Sequence, residues 1–495
     1  MKSIKRVLSV ALLAVAAVVV VLIVNTVRFS PPPQVAGTNQ LAPAPVEAVA
    51  NKLAQAIQFE TVSSRGRGTV QEQQPFRDFL AWLPTAFPAV HSTMNREIVG
   101  GLTPLYRWEG KDAALPPILL TAHYDVVPTE AQTLDQWEHP PFYGVQADGF
   151  IWGRGTLDNK GAVIALLETA ERLIADGFQP ARTVYMSFGH DEEIGGDEGA
   201  AAATEHLKAN DIFAEWVLDE GSFVLDGVVS ALDRPLATIN VAEKGMLTLT
   251  LIANAPGGHS SMPPRETAVG TLAAAVSRLQ QQPVPGGLSG LSETMFDGMA
   301  RHFGVLNRML FANRWLFGPI IESQLAAAAT TDAVLRTTTA PTMLSGSNAE
   351  NVLPTQASAT VNFRLHPRDR VEDIVDHVRR AIDDERIAIE VSPTHAREAS
   401  KVADHTAAGF RAIEKAALQS FGNIVVVPGL TIAGTDSRHY AEVARDAYRF
   451  NPFRVEKVDL PRLHGINERI SVDNLQRAIS FYTALLTDLP STQAE

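Results

Sequence analysis

The chain has 495 residues, of which 45% are hydrophobic and 20% are charged, so it is long enough for more than one domain and has an ordinary globular composition. Its 42 Lys and Arg against 55 Asp and Glu give a formal net charge of -13, and with no local basic patch this excludes nucleic acid as a partner. The absence of cysteine excludes disulfides and thiolate ligands, so any metal has to be held by His, Asp and Glu.

The N-terminus carries an apolar run that predicts a single membrane-spanning helix. Lys2, Lys5 and Arg6 precede an almost wholly apolar stretch from Val7 to Val24, which is close to the roughly 20 residues that a span requires. The positive charges predict that this end stays in the cytoplasm and that the rest of the chain lies outside the membrane, in the periplasm if the cell is bacterial. Secretion after cleavage of a signal peptide is the alternative, although no A-x-A-like pattern follows the run.

Changes of composition divide the chain into five predicted segments. Residues 1–29 form the anchor, and residues 30–45, rich in Pro and Ala, form an extended stalk. Helical stretches alternate with short β-branched runs in residues 46–237, which predicts an α/β catalytic domain with a mostly parallel central sheet. Residues 238–399 predict a smaller inserted α+β domain for dimerisation or as a lid, and the catalytic domain resumes at residues 400–495.

Hydrophobic periodicity predicts individual elements within these segments. The first half of the catalytic domain is expected to contain strands at 117–121 and 183–188 and a helix at 162–175. The insert is expected to contain strands at 247–252 and 357–365 and a helix at 371–384. The stretch at 283–318 has no clear period and is interpreted as a lid or as a pair of helices that belongs to the insert.

Clusters of His and acidic residues follow several of the predicted strands. Each cluster by itself has an ordinary explanation, such as a hydrogen-bonded histidine, a helix N-cap or a solvated loop. Together they lie where α/β folds place ligand sites, and they offer the nitrogen and oxygen ligands that two divalent ions need. The clusters contain His123 with Asp125, Asp158 in a Gly-rich loop, Glu192 with Glu193, Asp219 with Glu220, and the distant His464.

Ten motifs occur in order after the stalk: YDVVP, WEHPPFYG, DGFIWGRGTLDNKG, GHDEEIGG, DEG, GGHSSMPP, NVLP, FRLHP, GTDSRHY and LHGINE. This order resembles the co-catalytic zinc metallopeptidase family that includes glutamate carboxypeptidase, succinyl-diaminopimelate desuccinylase, aminoacylase and carboxypeptidase S. AEKG, the run RTTTAPT and the N-terminal anchor resemble most the branch of carboxypeptidase S and the N-fatty-acyl-amino-acid synthase/hydrolases.

The resemblance implies two zinc ions per subunit, with Co2+ or Mn2+ as alternatives. One ion is expected on His123 and Asp219. The other is expected on Glu193 and His464, and Asp158 is expected to bridge both ions. The peptide bond that follows Asp158 is typically cis in the family, so the same bond is predicted to be cis here.

The resemblance also implies the catalytic residues. Glu192 is expected to act as the general base, and Asp125 is expected to orient His123. His259, in the insert, is expected to reach a neighbouring active site and stabilise the oxyanion there. Because the insert resembles a dimerisation domain, a homodimer is one expected assembly.

Five further residues are expected to bind the substrate or to line its pocket. In relatives, the positions of Asn351 and Arg364 grip the free carboxylate of the substrate, a task that suits the bidentate geometry of a guanidinium. Gly434 and Thr435 are expected to line the same pocket, together with Asp436.

These assignments predict an amidohydrolase that removes a C-terminal amino acid with a free carboxylate. The favoured substrate is a small peptide, as for carboxypeptidase S. The first alternative is an N-(fatty-)acyl amino acid, which a reversible enzyme either hydrolyses or synthesises. A zinc-stabilised binding protein without activity is the second alternative, and the retention of Glu192 and of all five ligand positions argues against it.

Overall fold

A computed structural model of the chain describes residues 2–32, 46–63 and 73–489, so most of the predicted stalk at 30–45 lies outside the described residues. The α-helices in these parts are α1 (Lys2–Arg28), α2 (Glu47–Ile57), α3 (Gln74–Ala86), α4 (Pro88–Thr93), α5 (Lys160–Ala175), α6 (Ala200–Ala209), α7 (Ala268–Gln281), α8 (Leu291–Ala300), α9 (Val305–Ala312), α10 (Arg314–Ala326), α11 (Ala329–Leu335), α12 (Val371–Ile382), α13 (Ala408–Phe421), α14 (Ser437–Tyr440) and α15 (Val472–Thr487).

The strands are β1 (Asn95–Val99), β2 (Thr103–Trp108), β3 (Ile118–His123), β4 (Val145–Ala147), β5 (Phe150–Trp152), β6 (Val184–Gly189), β7 (Ala214–Asp226), β8 (Leu236–Glu243), β9 (Gly245–Asn254), β10 (Gly258–His259), β11 (Thr338–Ser345), β12 (Val352–Leu353), β13 (Gln356–Leu365), β14 (Ile387–Arg397), β15 (Val425–Thr431), β16 (Ala444–Glu456) and β17 (Arg469–Ser471).

An eight-stranded sheet in the order β1-β2-β6-β3-β7-β16-β8-β15 forms the centre of the fold. The pairs β6–β3, β3–β7, β7–β16 and β8–β15 are parallel, whereas β1, β2 and the contact of β16 with β8 are antiparallel. Helices α2, α5, α13 and α15 contribute to the main hydrophobic cluster beside this sheet. The predicted strands at 117–121 and 183–188 and the helix at 162–175 are confirmed as β3, β6 and α5. The central sheet is therefore mixed and mostly parallel, as expected.

A second sheet, in the order β11-β13-β9-β14, is antiparallel throughout. Side chains of α7 and α12 join it in a hydrophobic cluster of its own. The predicted strands and helix of this region are confirmed as β9, β13 and α12, and α12 ends at Ile382 because Asp383 adopts a left-handed conformation with φ 45°. The predicted start of the insert at residue 238 falls inside β8, which belongs to the central sheet, so the second sheet begins only at Gly245.

The stretch at 283–318, which has no clear sequence period, contains α8, α9 and the beginning of α10. Phe296 and Met299 of α8 pack against Val425 and Val427 of β15 in a separate apolar cluster. Val425 and Val427 share one face of β15, so α8 covers that face at the last strand of the central sheet.

The segment Ile4–Arg28 of α1 is long and apolar enough to cross a membrane. No residue of its most apolar 18-residue stretch is buried. A signal sequence near the N-terminus meets the same criteria. The structure therefore provides a helix of the predicted kind and leaves both alternatives for its role.

Candidate metal centre

The predicted clusters meet at the carboxyl ends of the parallel strands, because those ends lie at the same edge of the central sheet. His123 is the last residue of β3 and pairs with Gly189, the last residue of β6. Glu192 and Glu193 follow β6 in a single 3-10 turn, and Asp219 lies on β7 next to β3. The topology thus brings together side chains that are up to 341 residues apart in the sequence, from His123 to His464.

The first group of ligand atoms comes from His123, Asp158 and Glu220. The three atoms lie within 4.8 Å of one another. The Nε2 atom of His123 is 3.0 Å from Asp158 Oδ1 and 3.3 Å from Glu220 Oε1. The other carboxylate oxygen of Glu220 accepts a hydrogen bond of 2.8 Å from Asn159. These positions suit one cation between an imidazole and two carboxylates.

The second group comes from Asp158, Glu193 and His464, again with three ligand atoms within 4.8 Å of one another. The Nε2 atom of His464 is 2.9 Å from Asp158 Oδ2 and 3.3 Å from Glu193 Oε2. Asp158 therefore belongs to both groups and turns one oxygen toward each, as a bridging carboxylate does. The peptide bond between Asp158 and Asn159 is cis, as the resemblance predicts.

Asp219 is placed differently from the sequence prediction. Its Oδ1 atom accepts a hydrogen bond of 2.6 Å from Thr121 Oγ1, and Glu220, not Asp219, completes the first group. Thr121 and His123 lie two residues apart on β3 and share a face, so Asp219 lies on the same side of the sheet as His123, directly before an irregular stretch of β7 that carries Glu220. Asp219 nevertheless remains buried near the group, with its Oδ2 atom without a hydrogen-bond partner.

Asp125 supports both the histidine and the acidic turn. Its carboxylate accepts hydrogen bonds of 3.2 Å from the backbone N–H groups of Glu192 and Glu193. It also lies 3.3 Å from Nδ1 of His123, whose ring contacts the backbone oxygen of Asp125 at 3.0 Å. Hydrogen bonds of this kind fix the orientation of a metal-binding imidazole, so the geometry suits the orienting role predicted for Asp125.

The site concentrates acidic groups that burial and mutual repulsion make hard to ionise. Burial raises the pKa of Glu192 well above its usual range, and the charge of Glu220 adds to this shift. Burial also raises the pKa of Glu220 to about 8. Hydrogen bonds to Asp158 and Glu193 raise the pKa of His464 to about 10. The carboxylates therefore attract positive charge to the space between them.

Several buried oxygen atoms at this edge have no partner within the described residues. They include one oxygen each of Glu193, Asp219 and Asp436. An unpartnered buried carboxylate oxygen is costly unless a cation binds it. Together with two ligand groups made only of nitrogen and oxygen donors, these atoms fit divalent ions such as Zn2+, Co2+ or Mn2+.

A buried ion pair, which sequence reasoning missed, ties the loop of Asp158 to the loop of His464. The Oε1 atom of Glu468 accepts backbone hydrogen bonds of 3.0 Å from Gly155 and 3.3 Å from Asp158. Its Oε2 atom accepts a 2.6 Å bond from Arg154, which also donates 3.1 Å to the backbone oxygen of His464. The motif LHGINE could have indicated this ion pair, because a glutamate that follows a predicted metal ligand by four residues suggests a residue that supports the ligand.

Replacing Glu468 by Gln should lower the free energy of unfolding by about 3–5 kcal/mol, because Arg154 then stays buried without its anion. The same change should weaken metal binding, since both ligand loops lose their connection. Chemical denaturation and metal titration of the purified protein measure the two effects. Glu456→Gln, an exposed acid at the end of β16, serves as the control. Unchanged stability of the Glu468 variant would contradict this supporting role.

His259 and Asn351 come together away from the two ligand groups. His259 pairs with Val352 in the short ladder between β10 and β12, and Ser260 donates a 3.1 Å backbone bond to Asn351. The His259 side chain is exposed and contacts Ser261. Within the described residues, no hydrogen bond or ion pair connects His259 to the acidic cluster. An exposed position suits a residue that acts on a neighbouring subunit.

Arg364 lies in a cluster with Arg397 and Arg438. Of these three arginines, only Arg364 was predicted from the sequence. Arg364 and Arg397 lie opposite Met246 on either side of β9 and therefore share one face of the second sheet. Burial lowers the pKa of Arg397, and the positive charges of Arg438 and Arg364 lower it further. Such a concentration of guanidinium groups suits an anion.

Gly434 adjoins this cluster, whereas Thr435 lies behind it. A Cβ atom on Gly434 would lie 3.2 Å from Nη1 of Arg438 and 3.5 Å from Nη2 of Arg397. Thr435 is buried, and its hydroxyl and backbone N–H donate to Glu243 Oε2 at 3.1 and 3.2 Å. Gly434 thus lies beside the arginine cluster, and Thr435 is bound to Glu243 behind it.

Comparisons with known proteins agree with this geometry. The family model for Peptidase family M20/M25/M40 matches residues 119–488. Probable carboxypeptidase S-like 2 of Dictyostelium discoideum is 40% identical over 481 residues, which are 95% of this chain and 91% of that protein. N-fatty-acyl-amino acid synthase/hydrolase PM20D1 of Xenopus tropicalis is 40% identical over 435 residues, which are 87% of this chain and 84% of that protein.

Solved structures share the fold at low sequence identity. The M20 family metallo-carboxypeptidase Sso-CP2 of Sulfolobus solfataricus has a TM-score of 0.61 and 18% identity, over 88% of this chain and 98% of that chain. The YXEP protein of Bacillus subtilis, described as a dinuclear metal binding peptidase from the M20 family, has a TM-score of 0.55 and 13% identity, over 89% of this chain and 98% of that chain.

Proposed function

The chain belongs to peptidase family M20/M25/M40 and is a hydrolase, and from that premise we propose that it cleaves the amide bond before a C-terminal amino acid with the help of two zinc ions. The observation that carries the proposal is the pair of ligand groups that share Asp158. The predicted family and its carboxypeptidase S and N-fatty-acyl-amino-acid branch are confirmed by the relatives.

The protein side chains then have defined tasks. When bound, the zinc ions supply Lewis acidity toward the scissile carbonyl and toward the attacking water. Glu192, held against the first ligand group by the contact of its backbone with Asp125, accepts the proton of that water and returns it to the leaving amine. Burial and the charge of Glu220 raise the pKa of Glu192, which makes its carboxylate a stronger base than that of a free glutamate.

We assign one metal to His123, Asp158 and Glu220, and the other to Asp158, Glu193 and His464. The first assignment replaces Asp219, which the family resemblance implies, by Glu220, which the geometry favours. Asp219 then supports the site through Thr121.

Two matched variants distinguish these ligands. Glu220→Gln should lower the zinc content toward one ion per chain, whereas Asp219→Asn should keep both, because an amide oxygen still accepts the hydrogen bond from Thr121. Elemental analysis of the two dialysed proteins gives the metal content. The reverse result, with metal lost only from the Asp219 variant, would restore the assignment made from the sequence.

The arginine cluster supports a substrate with a free carboxylate. Arg364, Arg397 and Arg438 form a cationic cluster beside Gly434, and a guanidinium binds a carboxylate through two parallel hydrogen bonds. Asn351 lies beside His259 on the short ribbon at the other end of the second sheet from Arg364, so its proposed contact with the substrate would come, like that of His259, from the partner subunit. An amidohydrolase with such a cluster recognises the amino acid that it releases.

Two substrate classes fit this cluster. A small peptide is the carboxypeptidase S-like choice, and the relative from Dictyostelium carries that name. An N-fatty-acyl amino acid is the second choice, favoured by the relative from Xenopus and by the apolar helix α1, which would hold the enzyme where acyl chains are abundant.

A panel of substrates tests the function. Purified zinc-loaded protein is given dipeptides and N-acyl amino acids with acyl chains of increasing length, and release of the C-terminal amino acid is measured. Methyl esters of the same substrates are the control, because they lack the carboxylate and should be poor substrates. Turnover of the esters equal to that of the acids would contradict binding of the carboxylate by the arginine cluster, and no turnover of any substrate would contradict the proposed reaction.

We further propose that α1 is a membrane anchor and that the catalytic body lies on the extracytoplasmic side. The protein should remain in the membrane pellet after washes with high salt and with carbonate, because a spanning helix resists both. A cleaved signal peptide would instead leave soluble protein that has lost its first residues, which N-terminal sequencing detects.

The second sheet and its helices are proposed to form the inserted domain, through which two chains associate. In such a homodimer the exposed His259 would approach the active site of the partner subunit. The molar mass in solution tests the assembly. Mixing His259→Ala with Glu192→Gln chains should restore activity only if the histidine acts across the dimer.

A further inference from the structure

Helices α9 and α10 leave apolar side chains in contact with solvent. Val305, Leu306, Trp315 and Ile320 are between 58 and 70% exposed. No residue of α9 is buried, although most of its side chains are apolar. Several large apolar side chains exposed on two helices that contact each other mark a site of interaction. The α9–α10 surface, defined by these four residues and Leu316, is therefore expected to be covered by a partner.

The end of α1 rests against these same helices. Leu22, Asn25, Thr26 and Phe29 lie on one side of the chain at helical spacing, and all four are less exposed than residues 4–21, which are all exposed. A stripe at this spacing is the face that packs against another element. Only the last two turns of α1 are therefore docked on the body, and the preceding apolar turns project from it.

Polar contacts hold this junction together. Asn25 Nδ2 donates to Asn313 Oδ1 at 2.9 Å, and Asn313 Nδ2 donates to the backbone oxygen of Leu22 at 3.2 Å. Arg301 lies 4.5 Å from the centre of the Phe29 ring and donates to the backbone oxygen of Ser30 at 3.3 Å. Asn313 is buried and joins α9 to α10. The position of the α9–α10 surface is thus coupled to the end of α1.

The apolar and aromatic side chains of this surface suit a lipid bilayer. No acid occurs between Gly304 and Ile321, and of the two arginines there, Arg308 is half-buried and Arg314 is paired with Glu293 and Asp297 of α8. The exposed part of the surface is therefore mainly apolar, and tryptophan prefers the interface between headgroups and acyl chains. A protein partner would not require this surface to adjoin a membrane helix.

The length of α1 places the surface at the correct depth. A helix of about 20 residues spans about 30 Å, the thickness of the hydrocarbon core. If residues 4–24 cross the bilayer, Asn25 and Asn313 lie at its outer interface. We propose that the α9–α10 surface dips into the outer leaflet, so that the catalytic body is held at the membrane by two contacts. This proposal rests on the proposed membrane position of α1.

Site-directed spin labelling tests the proposal in the full-length chain, because a chain without cysteine accepts a single introduced thiol at any site. The positions to label are Leu306→Cys and Ile320→Cys, with Val15→Cys in α1 as the lipid reference. Phe213→Cys is the water reference, since Phe213 is 55% exposed and follows α6. Helix α6 packs near the β1 edge of the central sheet, which is opposite to the β15 edge near which α8 packs. The protein is reconstituted in vesicles of phosphatidylcholine and phosphatidylglycerol.

Collision rates with oxygen, which enriches in lipid, and with a water-soluble nickel complex give the result. At positions 306, 320 and 15 we expect oxygen collisions to exceed nickel collisions, with the ratio reversed at 213. Nickel access at 306 and 320 with lipid exposure at 15 would overturn the second contact and leave the anchor. Nickel access at 15 would overturn the anchor and the proposal together. Protection from both reagents at 306 and 320, with spin–spin broadening between chains, would mean that a second copy covers the surface.

Discussion

Replacing Glu192 by Gln should leave both zinc ions bound and lower kcat by about 10²- to 10⁴-fold, the usual contribution of a general base. The variant keeps the size of the side chain and the backbone hydrogen bond to Asp125, but an amide does not accept a proton from water. Glu192 belongs to neither ligand group, so the metals should not depend on it.

Steady-state kinetics and elemental analysis of the same preparation measure the two properties. Glu198→Gln is the matched control, because Glu198 is an exposed acid six residues further along the same loop region. Its activity should remain that of the wild type. Activity of the Glu192 variant close to the wild type would refute the assignment, and loss of zinc from it would make Glu192 a ligand instead of a base.

Replacing Asp158 by Asn should affect both metals at once, because Asp158 is the one residue that the two ligand groups share. Its oxygens lie 3.0 Å from His123 and 2.9 Å from His464. An amide offers one neutral oxygen, and its NH2 group faces one of the two metal positions. Since the metal ions supply several kcal/mol of transition-state stabilisation, we expect activity to fall by roughly 10³-fold or more.

Metal content after dialysis, compared with wild type, shows whether both positions are weakened. Asp176→Asn changes the same chemical group at the opposite end of α5, where the side chain is exposed, and should change neither property. An Asp158 variant that retains both ions and full activity would exclude a bridging role.

The acidic groups at this edge of the sheet have pKa values shifted in opposite directions. Although burial by itself opposes ionisation of Asp158, hydrogen bonds from His123 and His464 hold its pKa far below the usual range. Asp436, in contrast, has a pKa well above the usual range because it is buried and faces Asp219. One edge of the sheet thus contains a carboxylate whose pKa is lowered by histidines beside others whose pKa is raised by burial and by neighbouring acids.

Local periodicity was sufficient to predict the elements that carry the site. β3, β6 and α5 are confirmed because their apolar residues follow the period of a buried strand or of a helix that covers a sheet. β8 could not be assigned to a sheet in this way. Every residue of β8 is buried and gives no alternating pattern, so the change of sequence pattern at residue 238 did not indicate that β8 belongs to the central sheet.

The order of motifs was sufficient to predict the family, because residues that bind metals and substrates recur at fixed positions in a shared fold. Neighbouring acids were harder to separate. Asp219 and Glu220 are adjacent in the sequence, and the ladder between β7 and β16 shifts its register directly after Asp219. Which of the two acids comes within reach of His123 depends on this irregularity, which is a property of the packed structure.

Taken alone, the sequence determined the family, the apolar N-terminal run and the residues available for two metals, since these follow from composition and from motifs that are local in the chain. Tertiary structure decided which acid meets His123, how Glu468 and Arg154 join the loops of Asp158 and His464, and that the end of α1 rests beside an exposed apolar surface. Each of these is a contact between segments far apart in the chain, and it exists only once the sheet and its helices have packed.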